Sequence, residues 1–193
     1  MEQLTLSEEQ LIHEKSRKAL LYWAIASMVI FFGAFASYYM VMMGNGKWLI
    51  FQLPEIFFIS TAVIIGSSVT LMLAQQAIKV NNYKKVSLAL LLTLILGLFF
   101  CWFQFKAWGE LLSNHIVFAG KTSNVSGSIL YVITAMHFVH IVAGLMALSV
   151  TFFRSVKNKY SAQNHLGLSL CSIFWHFLDI LWVILFLFLY FNR

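Results

Sequence analysis

The sequence predicts an all-α fold: a polytopic membrane protein built as a bundle of five transmembrane helices. The chain of 193 residues is 61% hydrophobic and only 10% charged, and its mean hydropathy of +0.82 lies far above that of soluble domains. Five apolar stretches are long enough to cross the roughly 30 Å hydrocarbon layer, which takes about 20 helical residues. They cover residues 19–43, 54–78, 86–108, 128–153 and 167–191.

The segments outside these spans predict one compact unit. Residues 1–18 are polar and carry acidic residues ahead of basic ones, so we expect a retained cytosolic N-terminal segment and not a cleavable signal. Ser7 and Gln10 have the spacing of a capping box, which predicts a helix that begins near Ser7 and runs into the first span. Residues 19–193 are predicted to form a single five-helix domain, because even the longest connection, residues 109–127, is too short for a further folded domain.

The basic residues predict the orientation of the bundle. Nine lie on the side of the N-terminus and four on the opposite side. By the positive-inside rule, the N-terminus is inside and the C-terminus outside. The net charge of +6 therefore reflects topology, and no nucleic-acid partner is expected. The nine are Lys15, Arg17, Lys18, Lys79, Lys84, Lys85, Arg154, Lys157 and Lys159, and the four are Lys47, Lys106, Lys121 and Arg193.

Four ionisable residues lie deep in the last two spans: His137, His140, His176 and Asp179. The two spans run in opposite directions, so all four residues reach the same depth, and each pair is three residues apart on its helix. An ionisable residue at mid-membrane is costly unless it faces protein or water. The spacing therefore predicts a polar cluster between the two helices, with Asp179 paired to an imidazole.

Three roles for this cluster stay open at this point. The favoured one is structural, because mutual pairing satisfies each group inside the bundle. A haem or metal site would use the same residue types. A proton or ion relay would need further ionisable groups leading to each surface, and the spans offer only Lys106 near an end. Cys101 and Cys171 lie in different spans without the spacing of a metal-binding pair, so no metal site is predicted from them.

Small and polar residues recur in four of the spans. The last span contains "FWHFLDILW", the fourth "TAMHFVHIVAGLMAL", the third "LTLILGLFFCWFQ" and the second "STAVIIGSSVTLMLAQQAI". From about Ala19 onward, the chain resembles subunit III of the haem-copper terminal oxidases, the cytochrome c and quinol oxidases, in its short five-helix bacterial form. The positions that match the family motifs are Ser67, Ser68, Thr70, Gly97, Gln104, Gly144, Trp175 and Trp182.

The chain departs from the family pattern where relatives often carry a carboxylate. Met28 follows the serine of the first span, Lys106 and Ala107 lie beyond the glutamine of the third, and Ser169 precedes the last span's motif. Functions that depend on those carboxylates are not expected here.

The resemblance implies a non-catalytic subunit of a proton-translocating oxidoreductase in aerobic respiratory electron transport. It implies subunit I, subunit II and other respiratory-complex subunits as partners, together with membrane lipids and a bound phospholipid. Haem and copper are expected on the partner subunits, because this chain lacks the histidines for two haems and a copper. The implied role is to stabilise the catalytic subunit and support proton uptake, as a multi-pass protein of the bacterial plasma membrane.

Two alternatives stay open. The chain is a stand-alone membrane transporter or haem-binding protein that uses the four-residue cluster, or it is a relative associated with nitric oxide reductase. Haem absorbance and the identity of the co-purifying subunit separate these alternatives from the accessory role.

Overall fold

The structure, a computed structural model, describes residues 2–44, 53–119 and 124–192. Each of its five helices is long and apolar enough to cross a membrane, α1 by its part Leu11–Met43. The predicted all-α fold with five membrane-spanning helices is thus confirmed, whereas the orientation of the termini stays a prediction. The helices are α1 (Glu2–Met43), α2 (Ile56–Lys79), α3 (Tyr83–Ser113), α4 (Val125–Val156) and α5 (Leu166–Phe191).

Four of the helices form a closed ring. Helix α2 packs against α3 and α5, and α4 packs against the same two helices. Among the described residues, α1 contacts only α4 and α5, so it lies outside the ring. The phenyl group of Phe32 in α1 is buried against His140 of α4. The Tyr39 hydroxyl of α1 donates a hydrogen bond of 3.0 Å to the backbone carbonyl of Asn192, just beyond α5. Helix α1 is therefore attached to the ring of α2 to α5 through α4 and α5.

Asparagines lie next to the ends of several helices of the ring. Asn81 and Asn158 adopt left-handed backbone angles, with φ of 52° and 50°, just beyond the ends of α2 and α4. Asparagine tolerates this conformation better than most residues, so the chain can turn sharply there. The side chains of Asn82 and Asn124 accept hydrogen bonds from the backbone N–H groups of Lys85 and Ser126, in the first turns of α3 and α4.

The helix bounds differ from the sequence prediction at two places. Helix α1 begins at Glu2 and not near Ser7, and it runs without a break across residue 18. Helix α3 continues to Ser113 and α4 begins at Val125, so both helices extend into the predicted connection of residues 109–127. The apolar-length rule marks only the membrane-buried part of α3, and polar turns continue the helix beyond it. The capping-box spacing at Ser7 is a local pattern, and it does not prevent helical turns ahead of it. The division at residue 18 between a cytosolic segment and a membrane domain stays a prediction.

Candidate functional site

Buried polar contacts join α2 to α5 along what we call the α2–α5 seam: Thr61, Ser67 and Ser68 of α2 with Trp175, His176, Asp179 and Trp182 of α5. The Nε1–H of Trp182 donates to Thr61 Oγ1 at 3.0 Å. Two turns away, the Nε1–H of Trp175 donates to Ser67 Oγ at 3.0 Å. The antiparallel helices keep these contacts in register, because six residues on one helix span nearly the same rise as seven on the other.

Ser68 links two of the predicted cluster residues. Its Oγ lies 2.6 Å from Asp179 Oδ2, to which it donates, and 2.7 Å from His176 Nδ1. A hydroxyl has one proton, so donation to Asp179 leaves Ser68 to accept from the Nδ1–H of His176. Asp179 is 3% exposed, and its Oδ1 has no hydrogen-bond partner. The resulting chain of hydrogen bonds runs from His176 through Ser68 and ends at Asp179.

The other two histidines lie apart from this chain of hydrogen bonds. His137 is fully buried, with its ring centroid 5.2 Å from that of Trp182, and neither ring nitrogen has a hydrogen-bond partner. His140 Nδ1 donates to the backbone carbonyl of Met136 on its own helix at 2.7 Å. The predicted pairing of Asp179 with an imidazole is therefore corrected: Asp179 bonds to the Ser68 hydroxyl, and the four residues divide between two places. A structural role for the four residues stays a prediction.

The family-motif residues Thr70 and Gln104 make contacts between α2 and α3. Thr70 Oγ1 lies 2.8 Å from Thr93 Oγ1 across α2 and α3. The Gln104 side chain donates to Ser60 Oγ at 3.3 Å across the same helices. The sequence analysis missed Ser60, Thr61 and Thr93 as partners. A hydroxyl residue is too common in membrane helices to identify a partner without knowledge of which helix it faces.

Two glycines make room for Trp175. A Cβ atom at Gly97 of α3 would lie 2.8 Å from Trp175 Cη2 and 2.8 Å from Leu145 Cδ2. A Cβ atom at Gly144 of α4 would lie 2.9 Å from Leu178 Cδ1 and 3.2 Å from Trp175 Cε3. The indole of Trp175 thus fills the centre of the ring, and glycine is required on both neighbouring helices.

This packing predicts opposite effects for two glycine substitutions. Gly97→Ala should lower the free energy of unfolding by about 1–3 kcal/mol, because the added methyl group overlaps a buried indole. Gly33→Ala is the matched control, since no atom lies within 4 Å of its added Cβ. The control should be neutral or raise stability by up to about 1 kcal/mol, the helix preference of alanine over glycine. Unfolding of the purified chain in detergent measures both, and equal effects would contradict the packing of Trp175.

The surroundings of His137 do not fit a haem or metal ligand, because aromatic rings enclose its imidazole. His137 is enclosed by the rings of Phe32, Phe100 and Trp182, with centroids 6.3, 6.2 and 5.2 Å away. His140 donates its Nδ1–H to the Met136 carbonyl, which leaves Nε2 as its open ring nitrogen. No group of three His, Cys, Asp or Glu side chains in the described part of the chain could hold a metal ion. The location of haem and copper on partner subunits stays a prediction.

Chemical labelling tests how Asp179 is enclosed. A hydrophobic carbodiimide should leave residues 19–43 unlabelled, because Met28 stands where relatives often carry an acid. It should label Asp179 weakly or not at all, because this carboxylate is buried and bonded to Ser68. Mass spectrometry of the treated chain measures the labelling, with the unfolded chain as the positive control. Strong labelling of Asp179 in the folded chain would show that it is reachable from lipid, which the seam does not allow.

The family model of cytochrome c oxidase subunit III matches residues 7–193. The chain belongs to this family. A cytochrome c oxidase subunit 3 of Myxine glutinosa is 26% identical over 190 residues, covering 93% of this chain and 70% of the relative.

Bacterial and human relatives show similar identity over different shares of their length. A probable cytochrome c oxidase subunit 3 of Rickettsia felis is 29% identical over 186 residues, covering 86% of this chain and 65% of the relative. The human cytochrome c oxidase subunit 3 is 29% identical over 136 residues, covering 70% of this chain and 50% of the relative. The chain therefore spans between half and about 70% of these relatives' length. As a member of this family it is a multi-pass membrane protein and part of an oxidoreductase complex.

Proposed function

We propose that this chain is the non-catalytic subunit III of a haem-copper terminal oxidase, either a cytochrome c or a quinol oxidase, in the bacterial plasma membrane. The family match over residues 7–193 carries this proposal. Its partners would be subunit I, which would hold haem and copper, subunit II and other subunits of the respiratory complex. The chain would stabilise the catalytic subunit and support proton uptake, with phospholipid bound alongside.

The seam supports a stabilising role. Its hydroxyl and indole groups form hydrogen bonds between α5 and α2, such as those from Trp175 to Ser67 and from Trp182 to Thr61. The hydrogen bonds from His176 end at Asp179, whose Oδ1 has no onward partner. A relay needs a continuing path, whereas a structural lock needs only rigid contacts. The same observation disfavours the stand-alone transporter.

The half-buried position of His176 is an argument for a neighbouring subunit at this face of α5. The residue lies ten positions after the start of α5, which is about 15 Å along the helix and close to mid-bilayer. Hydrocarbon offers no hydrogen-bonding groups at that depth. A polar group on a transmembrane helix of the catalytic subunit would satisfy the imidazole edge that Ser68 leaves open.

A recess at the predicted cytosolic end supports a contribution to proton supply. Gln75 and Lys79 of α2, with His165 and Ser169 at the start of α5, line a cavity of about 200 Å³. His165 Nδ1 is buried there without a hydrogen-bond partner. One imidazole nitrogen can accept a proton while the other releases one, so we propose that the chain passes protons to a partner at this recess.

Removal of the chain tests both roles. Oxygen uptake per haem should start at a near-normal rate in complexes lacking the chain and then decline faster during sustained turnover than in the complete complex. If proton supply is also supported, the deficit should grow with rising pH, because free protons become scarcer. Re-expression of the chain is the control. A decline with the same time course and pH dependence in both complexes would contradict the proposed roles.

A further inference from the structure

A groove runs along the outer surface between α2 and α3 at the end that carries Lys79, Lys84 and Lys85. Its volume is about 540 Å³. The buried Ala77 and Ala89 form its floor, and their small side chains leave a trough between the longer side chains on either side. The walls are Leu73, Gln76 and Val80 from α2 and Lys85, Leu88 and Leu92 from α3.

The groove has one polar end and one apolar end. Lys85, in the first turn of α3, lies at the end of the helix, where the membrane surface is predicted. Leu92 lies seven residues further along α3, about 10 Å deeper at 1.5 Å per residue. Half of the hydrocarbon layer is about 15 Å thick. The groove therefore has the right length and depth for the part of an acyl chain that is nearest to the lipid headgroup.

The charge at the polar end favours an anion. Glu55 precedes α2 and Glu110 lies near the end of α3, so both acids are at the opposite end of these helices. The side chain of Lys85 has no ion pair among the described residues. A lysine close to the membrane surface attracts anionic headgroups.

We propose that this α2–α3 groove binds an anionic phospholipid, with its phosphate at Lys85 and Gln76 and an acyl chain along Ala77, Leu88 and Leu92. The proposal deepens the bound-phospholipid part of the proposed function. It requires that the chain lies in a membrane, and it does not require a haem-bearing partner. A failed lipid experiment therefore leaves the oxidase assignment intact, and a failed oxidase assignment leaves this site testable.

The neighbouring lysines provide a matched pair for the test. Lys84 has the same charge and lies in the same helical turn, but it does not line the groove. Native mass spectrometry would compare retention of phosphatidylglycerol and phosphatidylcholine with identical acyl chains on the full chain, in whichever complex it is purified. We expect preferential retention of phosphatidylglycerol, a loss of about fivefold in Lys85→Gln and no change in Lys84→Gln.

A second variant tests the groove itself. Ala89→Leu fills the floor and should reduce retention of both lipids, while its helical content stays unchanged by circular dichroism. Equal losses of phosphatidylglycerol in Lys84→Gln and Lys85→Gln would show that only the general surface charge matters. That result would contradict a specific lipid site at Lys85. Unchanged lipid retention in Ala89→Leu would overturn it as well. Loss of a partner subunit instead of lipid in that variant would assign the groove to a protein helix and contradict the proposal.

Discussion

Replacing Trp175 by alanine is expected to lower the free energy of unfolding of the bundle by about 3–5 kcal/mol, the cost of removing a large buried aromatic side chain. Trp175 is 1% exposed. Its indole lies between Gly97 and Gly144, which have no side chains of their own to fill the space, and its Nε1–H bonds to Ser67. The loss of packing and of the hydrogen bond therefore act together. Thermal or denaturant unfolding of the purified chain in detergent measures the change.

Trp102→Ala is the matched control for this prediction. Trp102 is also on a membrane-spanning helix, but it is 50% exposed on the outer surface of α3. We expect a change within about 1 kcal/mol, since no cavity is created inside the ring. If both variants lost the same stability, the central position of Trp175 would be contradicted.

Replacing Asp179 by asparagine should reduce the yield of intact complex more than its activity. The substitution places an amide NH₂ group where the carboxylate oxygens are buried, and Oδ1 has no donor or acceptor nearby. We expect a cost of about 1–3 kcal/mol, that of a buried polar group without its proper partner. The cost is smaller than the roughly 3–5 kcal/mol of a broken buried ion pair, because the direct partner of Asp179 is a neutral hydroxyl. Oxygen consumption per haem should stay near normal in the complexes that assemble.

Two further variants make this result specific. Ser68→Ala removes the shared partner of His176 and Asp179, so it should produce the same assembly defect. Glu110→Gln makes the same chemical change at an exposed carboxylate and should assemble normally. Normal assembly of the Asp179→Asn complex with abolished turnover would favour a proton relay over the structural role.

The membrane-spanning helices could be predicted from the sequence because the bilayer sets one physical requirement, about 20 apolar residues per span. The ends of the helices could not, since Ser113 and Glu2 lie in polar turns that the hydrocarbon layer does not constrain. Nothing in the hydrophobic pattern indicates that α1 lies outside the ring, because spans that face lipid and spans that face protein are similarly apolar.

The depth of Asp179 in the bundle could be predicted from the sequence, but the helix that its side chain faces could not. Counting residues from the helix ends correctly predicts that Asp179 lies deep in the bundle. The rotation of α5 decides which neighbour the carboxylate meets, and α5 packs against α2 as well as α4. Ser68 was notable only as a family-motif position, and the contact between Gly97 and Trp175 joins helices whose sequences carry no signal of their pairing. Three-dimensional packing supplies this information.

In the proposed accessory role, the chain works beside a haem-bearing catalytic subunit and holds no redox centre itself. The most direct measurement is the visible absorbance spectrum of the chain purified alone, set beside the subunit composition of the complex isolated gently in mild detergent. The chain alone should show no Soret band, and the gentle preparation should contain a much larger haem-bearing subunit in fixed proportion to it. Stoichiometric haem on the isolated chain, with no such subunit in the gentle preparation, would contradict the accessory role.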